Sequence, residues 1–140
     1  MQLTDAVVMV SSARPSYADV LRRTEVECRA LSDACVRATD VVLSSRSLHL
    51  HEATRFVLDA CHVAGATARV LSRHADYQPH VLVMIVEACR QIALQCAVSC
   101  ESTRDVVSLE ECERACEATV RSCGELLELL APLDRLQAAR

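Results

Sequence analysis

An antiparallel up-down-up-down four-helix bundle, all-α, with a short extra helix at the amino terminus, is the fold expected of this chain. Proline and glycine number only three and two in 140 residues, so long helices can run without interruption. Apolar and cysteine positions recur at alternating steps of three and four, with no strand-like alternation beside them. The third observation concerns core filling. Apolar residues make up 51% of the chain but aromatics only 2%, which leaves Val, Leu, Ala and Cys to fill a slender interior between helices.

Each element has its own signal. Residues 4–11 are expected to form the short amphipathic piece. Pro15 opens a first long helix over about 16–43, and "SSRSLHLHE" reads as a loop before a second helix over about 51–74. "ADYQP" turns the chain, and Pro79 suits the first turn of a third helix over about 79–103. Ser108 with Glu111 has the spacing of a capping box and starts a fourth helix over about 108–130. Pro132 is expected to end it, leaving 131–140 as a tail. The length suits one domain over residues 1–140, large enough to bury about two-thirds of the unfolded surface.

The inward seams follow from the spacing. The first helix presents Leu21, Thr24, Cys28, Leu31, Cys35, Ala38 and Val42, and the second Leu50, Thr54, Val57, Cys61, Ala64, Ala68 and Leu71. The third presents Leu82, Val86, Cys89, Ala93, Cys96, Cys100 and Thr103, and the fourth Leu109, Cys112, Cys116, Thr119, Cys123, Leu126 and Leu130. All nine cysteines fall on these seams. Stacked by tier, Cys100 lies with Cys112, then Cys35 with Cys96 and Cys116, then Cys61 alone, then Cys28 with Cys89 and Cys123. A slip of one helical turn, about 5.4 Å, changes partners within a group but preserves the grouping. Below them a cysteine-free plug of Leu and Val is expected. Met84 is assigned to the core, and Glu87, Glu111, Glu113 and Glu117 to exposed helix faces.

Several function classes are disfavoured. The net charge is -4, and all fifteen basic residues are Arg, scattered among nineteen carboxylates, so no nucleic acid partner is expected. The apolar run before residue 11 has five residues and no basic leader, and no stretch of about 18 apolar residues is apparent. The expectation is a cytoplasmic protein with no membrane partner. Nine cysteines in a reducing compartment point to thiols or metal ligands over disulfides. No nucleophile, base and orienting group come together in the sequence, so no enzyme activity is expected.

Cysteines four apart on one helix lie about 5–6 Å from one another at Cβ, so Cys96 with Cys100, and Cys112 with Cys116, can each share one soft ion. Thiolate-only sites select Cu(I), Zn or iron-sulfur clusters. Cys-x-x-Cys is absent, and so is the Glu-x-x-His of di-iron bundles. Cu(I) tolerates two sulfur ligands where structural Zn requires four, and facing pairs along a narrow core suit the former.

"LDACHVAGATARVLSRHAD", "EACRQIALQCAVSCES" and "CERACEATVRSC" resemble the bacterial cysteine-rich four-helix-bundle copper storage proteins in their cytosolic form, over about residues 17–130. The resemblance implies copper ions held as Cu(I) by inward cysteines, here Cys28, Cys35, Cys61, Cys89, Cys96, Cys100, Cys112, Cys116 and Cys123. It also implies His or Met beside one open end of the bundle, where His49 and His51 are candidates; solvated loop residues remain their alternative reading. Family members line all four helices densely with cysteine, whereas the first helix here has two and the second has one, which implies a lower capacity.

Two other readings stay open. The leucine-rich "LLELLAPLDRLQAAR" suits a metal-free interaction module or homo-oligomer, and exposed low-pKa cysteines would suit a thiol redox sensor.

Overall fold

The computed structural model describes residues 15–45 and 50–140. The expected amino-terminal helix over 4–11 and His49 lie outside the described residues. Four long helices follow in order: α1 (Tyr17–Ser45), α2 (His51–Ser72), α3 (Pro79–Ser102) and α4 (Glu110–Ala138), with a 3-10 turn at His74–Asp76. Each packs on two neighbours, α1 on α2 and α4, and α3 on α2 and α4. The result is the expected antiparallel four-helix bundle, with α1 and α3 facing each other across one diagonal.

Local chemistry explains the starts. Ser16 Oγ accepts the Asp19 backbone N–H at 3.2 Å, capping α1, and Pro79 sits in the first turn of α3. The capping box at Ser108 does not form. The N-cap of α4 is Leu109, with no side-chain cap, because Leu109 is buried and pins the chain at that point instead. The second correction is at the far end. α4 runs through Pro132 to Ala138; the ring lies on the exposed face, as does Glu128 one turn earlier, so the carbonyl that loses its partner can be hydrated.

The seams of α1, α3 and α4 are buried as spaced, but α2 is rotated. Its buried ridge is Ala53, Val57, Ala60, Ala64, Thr67, Ala68 and Leu71, which moves Thr54 and Cys61 to the flank. Alanines on this ridge let α2 approach its neighbours closely. Gly65 extends that approach, since a Cβ there would meet Ser32 Oγ at 3.3 Å, whereas a Cβ at Gly124 would meet nothing within 4 Å.

One inward and one outward assignment also change. Met84 is 68% exposed, because Leu82 and Val86 carry the seam and the residue between them points away. Glu113 is only 9% exposed, held by Arg104. α3 is also apolar and long enough to cross a membrane by length and composition, with a mean hydropathy of 1.7 over its best window. Counting uninterrupted apolar residues missed this, since Glu87 and Arg90 break the run, and those two pair with each other at 2.8 Å.

Leu71, Leu82, Val86, Leu126 and Leu130 close one end of the core. At the same end, Thr24 Oγ1 donates to the Val20 carbonyl at 2.7 Å.

Candidate metal centre

Above that plug the core is lined with sulfur. Eight of the nine cysteines are buried, and all nine are free thiols. They fall into two groups. The lower is a triad of Cys28, Cys89 and Cys123, whose sulfurs all lie within 4.8 Å of one another. Cys28 and Cys89 are 3.8 Å apart. α1, α3 and α4 each contribute one thiol, and α2 supplies Thr67, whose Oγ1 donates to the Val63 carbonyl at 2.7 Å.

The upper group is built on a second mutually close triad, Cys35, Cys96 and Cys112. Cys112 sits 3.7 Å from Cys35 and 3.8 Å from Cys96, and Cys100 and Cys116 interact with both Cys96 and Cys112. Cys112 thus takes the place expected for Cys116 beside Cys35 and Cys96, while Cys123 on the same helix keeps its expected partners and the grouping stays intact. Thr103 closes this end, its Oγ1 donating to the Cys100 carbonyl at 2.9 Å.

Cys61 belongs to neither triad. It is half-buried, its sulfur 3.6 Å from Ser32 Oγ, and that hydroxyl donates to the Cys61 carbonyl at 3.0 Å. The rotation of α2 is the cause. His51 is exposed on the first turn of α2, and nothing in the geometry brings it to the sulfurs. His62, His74 and His80 are exposed as well.

The thiols of each group titrate as a coupled set. In the lower triad, hydrogen bonds from Cys123 and Cys28 hold Cys89 below the ordinary thiol range. Hydrogen bonds to Cys123 and Cys89, with burial, push Cys28 up. Cys28 draws Cys123 down, but Cys89 and burial push it further up. The upper group has the same design: Cys112 accepts from Cys100, Cys116, Cys35 and Cys96 and falls well below the usual range. Its partners rise, Cys100 to about 12 by hydrogen bonding to Cys112, and Cys35, Cys96 and Cys116 further still. In each group the hydrogen bonds among the thiols lower one of them and raise its neighbours. A soft cation that several sulfurs can reach at once displaces the thiol protons.

Sequence spacing missed two neighbours of the sulfurs. Thr67 faces Cys89, which a shift of the α2 ridge by one position would have exposed. Glu113 carries Arg104 at 2.5 Å beside the upper group; no local signal marks it, because its burial depends on a loop residue nine positions away.

This sulfur-lined bundle has counterparts. A family model described as copper storage protein matches residues 15–128. A cytosolic copper storage protein from Streptomyces lividans, in a structure of copper loading with five coppers, is 29% identical with a TM-score of 0.76, covering 80% of this chain and 95% of that one. A histidine-to-alanine mutant of Streptomyces lividans Ccsp is 30% identical at a TM-score of 0.77, covering 81% and 96%. The copper storage protein Ccsp from the same organism, loaded with 10 copper equivalents, is 30% identical at 0.74, covering 78% and 84%. No curated protein matches the chain.

Proposed function

Because this chain belongs to the copper storage protein family, we propose that it sequesters copper as Cu(I) on the eight buried thiols of its two groups, in the cytosol. The observation that carries this reading is the pair of buried triads, each with sulfurs within 4.8 Å on three different helices. A dry thiolate site without oxygen or imidazole ligands favours a soft monovalent ion over Mg, Ca or Mn. The Streptomyces lividans relative named for copper loading in the cytosol supports the compartment, where nine free thiols also stay reduced.

Cu(I) arriving at the Cys100 and Cys112 end meets the five-sulfur group first. Each ion exchanges carrier ligands for thiolates, and the thiol protons leave to solvent. Cys112 and Cys89, whose thiols are lowered by hydrogen bonds from their neighbours, are the first ligands of their groups, and their partners complete each site as they ionise. Uncompensated thiolate charge is costly in a dry core, so bound copper tends toward one ion per sulfur. Cys61, His49 and His51 stand outside this set as auxiliary candidates. The reading assigns the residues a binding role and no catalytic one.

Anaerobic titration of the reduced protein with Cu(I) against a chromophoric chelator tests the proposal. Several equivalents should be retained under strong competition; fewer than one per chain rejects it.

A further inference from the structure

The lower triad differs from the upper group in one respect that bears on what else it can take: it offers three sulfurs and no fourth. Cys28, Cys89 and Cys123 are at most 2% exposed, mutually within 4.8 Å, and the helix that would supply another thiol presents Thr67. Among the described residues, the cation that acts on the triad is already paired. Arg90, which senses Cys123, is paired with Glu87 at 2.8 Å, and Glu27, which also acts on Cys123, adds negative charge.

Charge then ranks the ions that a dry three-sulfur site can hold singly. Three thiolates around one monovalent ion leave two negative charges, and around one divalent ion they leave one; both are penalised by burial. A trivalent thiol-seeking centre leaves none. We propose that the Cys28, Cys89 and Cys123 triad is also a binding site for a trivalent metalloid, with arsenic(III) as the matching chemistry.

The reaction balances without an oxidant. Arsenous acid carries three hydroxyls; three As–O bonds break and three As–S bonds form. Each thiol proton leaves with one hydroxide as water, and arsenic stays trivalent. Every sulfur is used once, which suits three thiols from three helices held by separate backbone segments. In the upper group five sulfurs compete for the same valences, so a bound centre there leaves two thiols over. The inference goes beyond copper sequestration and rests on the triad's own geometry.

The probe is arsenite, added anaerobically to the reduced full-length protein and followed by native mass spectrometry and arsenic X-ray absorption. Wild type and Cys61→Ser should retain the same number of arsenic atoms, each with three sulfur neighbours and three protons lost. Cys28→Ser and Cys123→Ser should each retain one fewer. Circular dichroism checks that each variant is helical. If both unfold, the wild type decides, since bound arsenite should protect Cys28 and Cys123 from alkylation in peptide maps. No arsenic retained by wild type, an unchanged count in the folded serine variants, or unprotected Cys28 and Cys123 would overturn the proposal. Copper capacity, measured on the same preparation, separates this outcome from failure of the copper reading.

Discussion

Cys28 on α1 and Cys89 on α3 bring their sulfurs to 3.8 Å across the diagonal of the bundle. A contact of that length between diagonal helices requires a narrow interior. The alanine ridge of α2 and the scarcity of aromatics supply it. Larger side chains at these tiers would hold the helices apart and place the sulfurs beyond reach of a shared ion.

Cys96 and Cys112 each interact with the four other sulfurs of the upper group, so Cys112→Ser should weaken copper retention more than serine at Cys35, Cys100 or Cys116. A loss of about tenfold or more against the competing chelator is expected, comparable to or beyond effects of altered outer-shell contacts. Cys61→Ser, on the flank of α2, should change retention little. Chelator competition with both variants measures the contrast, and equal losses would contradict the grouping.

Copper loading should weaken as pH falls. Cys28, Cys35, Cys96, Cys100, Cys116 and Cys123 are raised and hold protons at neutral pH, so each sulfur recruited releases one. An indicator dye recording proton release during loading at pH 7 checks this, and loading with no proton release would contradict it.

The metal-free bundle should lose stability above about pH 8.5, the ordinary thiol value. The sign follows from the raised thiols. Below that pH both folded and unfolded chains hold these protons, and above it only the folded chain does. Ionisation then favours unfolding, by up to about 1.4 kcal/mol per pH unit for each thiol that stays protonated. Urea midpoints between pH 8 and 10 should fall for the apo protein and hold for the copper-loaded one.

Leu126 is fully buried in the plug, away from both sulfur groups. Leu126→Ala should cost about 2–5 kcal/mol of stability through lost burial and a residual cavity, with copper stoichiometry unchanged. Chemical denaturation and chelator titration on one variant separate the plug from the sulfur tiers.

The two glycines should respond differently to alanine. At Gly124 a Cβ meets open space, so Gly124→Ala should stabilise the helix by about 0.5–1 kcal/mol, a rise in Tm of about 2–4 °C per kcal/mol. At Gly65 the new methyl crowds Ser32 Oγ at 3.3 Å and disturbs its bond to the Cys61 carbonyl, so Gly65→Ala should gain less or lose. Paired thermal melts compare them.

The amino-acid pattern alone determined that four helices pack antiparallel, that α1, α3 and α4 bury the seams running through Cys28, Cys96 and Cys123, and that the sulfurs divide into groups above a leucine plug. These follow from the 3.6-residue period, which fixes which side chains share a face of one helix. Tertiary packing decided what that period leaves free. It rotated α2 so that Ala60 took the place expected for Cys61, brought Cys112 and not Cys116 into the triad with Cys35 and Cys96, and buried Glu113 against Arg104. Rotation and translation of one helix against another depend on how side chains from different segments interlock, and no spacing within a single segment encodes that.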